Sequence, residues 1–145
     1  MHLTIVPDVV KGQDMVDLPA SATALQAARL MVDRDTAAVV ILDDAGQLIG
    51  IVTERDLTRR VLAQGRDPAT TSLESIMTRN PDTLSPLDSA LDALELMNVR
   101  RFRHLPVVDG SKVVGMVSIR DLYATVKAKL EEDIRETEAF AFGDR

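Results

Sequence analysis

Two stretches of the chain carry the same combination of a glycine, a hydroxyl, a guanidinium and a carboxylate. Gly50-Ile51-Val52-Thr53-Glu54-Arg55-Asp56-Leu57 returns 65 residues later as Gly115-Met116-Val117-Ser118-Ile119-Arg120-Asp121-Leu122. In each copy an apolar run ends at Thr53 or Ser118 and a helical pattern begins, which predicts a strand-to-helix junction. The first N–H groups of a helix have no intrahelical partner and carry partial positive charge, which suits a phosphate. Thr53 and Ser118 would add a hydroxyl there, and Arg55 and Arg120 a guanidinium that pairs with phosphate oxygens. Asp56 and Asp121, one turn in, can accept hydrogen bonds from a diol, as an acidic residue does for ribose in other nucleotide folds. The same spacing has a plainer use. Thr/Ser-x-x-Asp is a capping box, which stabilises a helix start with no ligand at all. Ser85 and Asp88 have that spacing too. Recurrence at one place in a repeat favours binding, and the two uses are compatible, because a cap is already aimed at the helix N-terminus.

The elements that must position these groups repeat as well. Val40-Ile41-Leu42-Asp43 matches Pro106-Val107-Val108-Asp109 at an offset of 66, and the same offset aligns Ala24, Leu25 and Met31 with Ala90, Leu91 and Met97. One residue is therefore lost from the second hairpin turn. Two units, 8–66 and 74–132, cover most of the chain, followed by a helical tail over 133–145. A unit of about 60 residues has a marginal core by itself, so the two are expected to pack as one intertwined pair. Each unit reads β-α-β-β-α. An extended segment (Met15–Leu18; Asp82–Leu84) precedes a helix, which in the second copy is predicted to start with Ser85 as N-cap and Pro86 at the first helical position. Apolar runs 38–42 and 48–52, and 105–108 and 113–117, form hairpins across Gly-containing turns. A second helix then starts at Thr53 or Ser118. Residues 71–80 are expected to be a linker with a short helix, Thr71 and Glu74 being spaced as a capping box.

Totals narrow the function. The 145 residues are 46% apolar and 28% charged, ordinary for a globular chain, with only 3% aromatics. The six methionines read as core filler rather than a cofactor box. A net charge of −6 argues against a nucleic-acid surface. The absence of cysteine excludes disulfides and thiolate metal sites, and no metal site is expected. Met1 to Asp8 lack the pattern of a signal peptide, and no apolar run approaches the roughly 20 residues of a membrane span. The expected location is cytoplasmic, with no membrane partner.

The paired pattern resembles a tandem of CBS domains (cystathionine-β-synthase domains, a Bateman module when paired). The resemblance rests on His104-Leu105-Pro106-Val107-Val108-Asp109 and on Val113 to Leu122, with the weaker partner Val39 to Leu57. It implies an α/β fold of two β-α-β-β-α units packed sheet to sheet as one pseudo-symmetric module. It also implies an adenine ligand in the clefts: AMP, ADP or ATP, or else NADH or S-adenosylmethionine, with no obligatory cofactor. Carried over by position, Ser118 and Thr53 match the phosphate-side hydroxyl, and Asp121 and Asp56 the ribose carboxylate. Thr83 matches the polar residue of the unit's first strand, and Leu105 and Pro106 the wall of the base pocket. In the first unit the corresponding positions are Asp17 and Ala38, Val39 and Val40. The second unit is expected to be the stronger site, because Arg103 and His104 add phosphate partners where the first has Ala37 and Ala38. Asp17 is also a poor neighbour for an anion. His104 is equally compatible with a structural role at a strand start. Arg100-Arg101-x-Arg103 suits a solvated patch, though its place before a hairpin favours the pocket.

Nothing in this inventory assembles a catalytic set: one plausible histidine, no cysteine, and no metal-ligand cluster. The expectation is a sensor that changes conformation or association on binding adenine nucleotide and signals to a separate effector protein. The alternative is a ligand-free interaction scaffold. Leu122, Val126, Leu130 and Ile134 form a narrow apolar stripe on the last helix. With Phe140-Ala141-Phe142 it suits either the module itself or a homodimer partner.

Overall fold

Two copies of one small α/β unit are built from the expected elements, and their boundaries follow from local chemistry. The computed structural model describes residues 2–12 and 15–142. Unit one comprises β1 (Asp17–Leu18), α1 (Ala24–Arg34), β2 (Ala38–Leu42), β3 (Leu48–Thr53) and α2 (Glu54–Asp56), which runs on as a π-helical stretch over Leu57–Leu62. A 3₁₀ turn (Leu73–Ser75) and β4 (Thr78–Arg79) follow. Unit two comprises a single bridge residue, Leu84, then α3 (Ala90–Arg100), β5 (His104–Asp109), β6 (Lys112–Ser118) and α4 (Ile119–Phe142). No helix among the described residues is long and apolar enough to cross a membrane.

β1 runs parallel to β2, and β2–β3 and β5–β6 are antiparallel hairpins in which Val40 faces Ile51 and Pro106 faces Met116. Side chains alternate between the faces of a strand. Val39, Ile41 and Val52 pack with Ala27 and Met31 of α1 in the first core, whereas Leu105, Val107 and Val117 pack with Ala93, Met97 and Leu122 in the second. Val40 and Ile51, on the opposite face of the first hairpin, are also buried. That face looks toward the other unit: Ile51 lines one cavity together with Leu105, and Val40 another together with Met116.

Leading segments are exchanged between the units. Residues 71–74 lead into unit two yet bind unit one: Leu73 and Glu74 N–H donate to the carbonyls of Ala22 and Ala20 (2.8 and 3.0 Å), and Ala24 N–H donates to Thr71 O (2.8 Å). Residues 3–6 precede unit one yet make the same bonds to unit two. Ile5 and Val6 N–H donate to Asp88 O and Pro86 O, and Ala90 N–H to Leu3 O, each at 2.9 Å. Leu73 is buried in the first core and Ile5 in the second.

This exchange corrects two expectations. Helix α3 is capped by Ser89, whose Oγ accepts from Asp92 N–H at 3.4 Å, not by Ser85. Carbonyls of residues 86 and 88 are taken by the leading segment, so residues 85–88 close a tight turn instead of a first helical turn. In it, Ser85 N–H donates to Asp88 Oδ2 at 2.8 Å. Thr23 is the matching cap of α1, in a capping box with Gln26. Nor do Thr71 and Glu74 form a capping box. The Thr71 hydroxyl donates to Asp67 O at 2.7 Å, and the 3₁₀ turn has no side-chain cap.

The stripe on α4 divides. Leu122 and Val126 are buried, whereas Leu130 and Ile134 are 49% and 56% exposed and Phe140 is 92% exposed. Of the patch expected at the tail, the side chain of Phe142 and residues 143–145 lie outside the described residues, as do residues 13 and 14 of the first unit.

Gly50 shows how closely the linker is drawn in. It lies opposite Arg79 of β4, and a Cβ there would stand 2.6 Å from Met77 Sδ and 3.0 Å from Thr78 O. Met77 can yield; a backbone oxygen in a sheet cannot without weakening the β3–β4 pairing. Gly50→Ala is expected to cost about 1–3 kcal/mol, read as a fall of several degrees in Tm. An unchanged Tm would mean that β4 contributes nothing to the fold.

Candidate functional site

Both strand-to-helix junctions are complete capping boxes. Thr53 N–H donates to Asp56 Oδ2 at 2.9 Å, and Asp56 N–H donates to Thr53 Oγ1 at 3.3 Å. Ser118 N–H donates to Asp121 Oδ2 at 3.3 Å, and Asp121 N–H to Ser118 Oγ at 3.0 Å. The cap uses one oxygen of each carboxylate, and an ionised carboxylate has about four acceptor sites. Capping therefore orients these groups without exhausting them. Arg60 steadies Asp56 further. Its Nε lies 3.7 Å from Asp56 Oδ1 and its Nη1 donates to Ile76 O at 2.9 Å, tying the carboxylate to the linker.

Each junction opens on a cavity between the units. The first, about 830 Å³, sets Thr53, Arg55 and Asp56 against Arg100, Arg101, Arg103, His104 and Leu105 of unit two. Glu54, Arg59, Thr78, Asn80 and Asp82 add to its polar wall. The second, about 790 Å³, sets Ser118, Arg120 and Asp121 against Asp35, Ala38 and Val40 of unit one, with Met15, Val16 and Met116 as apolar wall. Both volumes lie in the range of small-molecule sites.

The grouping differs from a unit-by-unit reading. Thr53, Arg55 and Asp56 share a cleft with Arg103, His104 and Leu105, while Ser118, Arg120 and Asp121 share one with Ala38 and Val40. Arg103 and His104 reach both clefts. Four of the residues singled out from sequence line neither. Asp17 is exposed in β1, Val39 is buried in the first core, Thr83 is exposed before Leu84, and Pro106 is buried in β5. The crossing follows from the approximate twofold packing, which turns the helix start of one unit toward the helix-to-strand turn of the other.

Those turns have a recognisable backbone. Asp35 and Arg101 end α1 and α3 at φ of 50° and 61°, and Asn80, directly after β4, has φ 46°. They are the three non-glycine residues with positive φ among those described, and all three line a cleft. Left-handed conformations outside glycine concentrate where surrounding structure holds them, functional sites included. Asn80-Pro81 was a legible turn signal. Met15, Val16 and Arg59 carried none.

The clefts differ in charge. The first has five arginines (55, 59, 100, 101 and 103) against Glu54, Asp56 and Asp82, with Arg100 paired to Asp82 at 3.2 Å. The second has Arg103 and Arg120 against Asp35, Glu54 and Asp121. The arginine cluster that weighted the Ser118 group in the sequence thus stands mainly beside the Thr53 group.

The module these features define is a tandem of β-α-β-β-α units with two pseudo-symmetric clefts. The family model described as CBS domain matches residues 9–63 and 73–127. The chain belongs to the CBS-domain family. It is 34% identical over 124 residues to the CBS domain-containing protein CBSCBSPB3 of Arabidopsis thaliana, covering 86% of this chain and 22% of that protein. The chain thus spans about a fifth of that relative's length. A solved CBS-domain protein of Burkholderia ambifaria superposes with a TM-score of 0.82 at 33% identity, over 87% of this chain and 95% of the other. The CBS domain protein PAE2072 of Pyrobaculum aerophilum, solved in complex with AMP, superposes with a TM-score of 0.72 at 28% identity, over 79% and 86% of the two chains.

Burial holds the pKa of His104 below its ordinary 6.5, against the pull of the Asp121 and Glu54 carboxylates and together with the Arg103 charge. The unfolded chain then binds the proton more readily, so stability falls as pH drops through the ordinary value and stops falling below the folded one. His104→Gln removes that titration. Its Tm is expected to change less than that of the parent between about pH 7.5 and pH 6. Equal slopes would show that His104 titrates alike in both states.

Proposed function

We propose that the chain is a regulatory module that binds an adenine nucleotide between its two units and changes their arrangement, or its association, in response. One observation carries this reading. Each cleft joins a hydroxyl and a carboxylate at a helix start to groups from the opposite unit, so a ligand held there grips both units at once. Any resulting change requires the ligand to bind one arrangement better than another. The AMP complex of the similar Pyrobaculum protein supports an adenine ligand. The charge of the Thr53 cleft makes it the stronger phosphate site, for AMP, ADP or ATP, with Asp56 on the ribose and Arg55, Arg101 and Arg103 toward phosphate. In the Ser118 cleft, Ser118, Arg120 and Asp121 take the matching roles with fewer cations. The role is regulatory rather than catalytic, its signal passing to a separate protein. Exposed Leu130 and Ile134 of α4 support pairing with a second copy.

Complete capping boxes also serve a module whose clefts stay empty, which is the scaffold reading. Thermal unfolding with AMP, ADP, ATP, NADH and S-adenosylmethionine separates the two. A ligand at about 100 times its Kd adds roughly 2.7 kcal/mol to folding stability. Asp56→Ala is expected to cost about 1 kcal/mol of cap without ligand. It should also abolish most of the nucleotide-induced rise, measured from the variant's own baseline. No rise with any adenine ligand would favour the scaffold; a full rise in Asp56→Ala would remove Asp56 from the site.

A further inference from the structure

The two clefts share a wall, or septum. Ala37, Glu54, Arg103 and His104 face both cavities. They stand where the repeat maps onto itself: Ala37 matches Arg103, Ala38 matches His104, and Glu54 matches Ile119. The backbone keeps the symmetry, with Glu54 N–H donating to Ala37 O at 3.0 Å and Ile119 N–H donating to Arg103 O at 2.8 Å. The side chains break it. In each matched pair one member is ionisable and the other apolar, so the septum holds a single guanidinium, a single imidazole and a single carboxylate between two sites.

We infer that this septum couples the clefts, so that a phosphate-bearing nucleoside in the Thr53 cleft weakens the binding of a second one in the Ser118 cleft while leaving that of a nucleoside without phosphate unaffected. The inference rests on the nucleotide reading above. A guanidinium presents its donors as one planar fork and cannot pair bidentately in two directions. Phosphate drawn to the start of α2 takes Arg103, since the Thr53 cleft offers four further arginines beside it. The Ser118 cleft is then left with Arg120 against the carboxylates of Asp35, Glu54 and Asp121. A second phosphate there meets those carboxylates and the first phosphate across a septum that holds no other arginine. A bare nucleoside brings no charge and escapes this penalty.

Isothermal titration of the full chain with AMP and with adenosine tests this. Adenosine is expected to saturate at two equivalents. AMP should fill one equivalent, with the second about tenfold weaker or more, and adenosine should still fill the remaining cleft of AMP-saturated protein. Ala37→Arg gives the second copy its own guanidinium and should bring the two AMP affinities to within about threefold. Arg103→Ala changes an exposed residue and should weaken the first AMP toward the second. Two equal and independent AMP equivalents in the parent chain would overturn the coupling, as would adenosine saturating at one equivalent. If neither ligand binds, the nucleotide reading itself fails and the coupling falls with it.

Discussion

Each unit leaves carbonyl groups at the turn before its first helix that only a segment from beyond its own boundaries satisfies. Ala20 and Ala22 are bonded by the chain that leads into unit two, and Pro86 and Asp88 by the chain that leads into unit one. Unpaired buried backbone groups are costly, so the turns and the straps specify each other. Each strap also inserts a fully buried aliphatic side chain, Leu73 in one core and Ile5 in the other, worth about 1.5–3 kcal/mol apiece by area. Because the straps are exchanged, neither core closes without the other unit's chain. The relative placement of the units follows, and with it the position of everything that lies between them.

The clefts inherit that placement. A helix start is a local object, made by Thr53 with Asp56 or Ser118 with Asp121, and by itself it is only a cap. It becomes one wall of a site because the exchange holds it opposite the left-handed turn of the other unit, at Arg101 or Asp35. Approximate twofold symmetry makes two such sites. Divergence of the two copies then makes them unequal, arginine-rich beside Thr53 and carboxylate-rich beside Ser118, with Arg103, His104 and Glu54 on the shared wall. A duplicated unit can in this way present two related pockets with different charge, from side chains that differ at a few positions near the axis.

Much of the fold was legible. The hairpins announce themselves by apolar runs 38–42 and 48–52, and 105–108 and 113–117, around Gly-containing turns, and α1 and α3 by Ala24, Leu25 and Met31 matching Ala90, Leu91 and Met97, with Leu94 at helical spacing. The packed face differs in detail, since Leu91 is exposed and Ala27 and Ala93 enter the cores. The start of α3 was not. Ser85 and Ser89 lie four residues apart and both suit an N-cap; Pro86 and Asp88 argued for the first, and hydrogen bonds from residues 3–6 decide for the second. β4 was equally hidden, because two residues of pairing leave no pattern and depend on Gly50 for the room to approach.

By itself the sequence determined what proximity along the chain can enforce: two copies of one unit, their turns, their capping boxes, and the hydroxyl, guanidinium and carboxylate at each junction. Tertiary structure alone decided which junction faces which turn, that Arg100 and Arg101 stand beside Thr53 rather than Ser118, and that Asp17, Val39, Thr83 and Pro106 line neither cleft. The reason is physical. Caps, turns and strand alternation arise from neighbours a few residues apart, whereas the pairing of two similar units is set by which buried faces and exchanged straps satisfy each other, and a repeated sequence carries the same local signals for both copies.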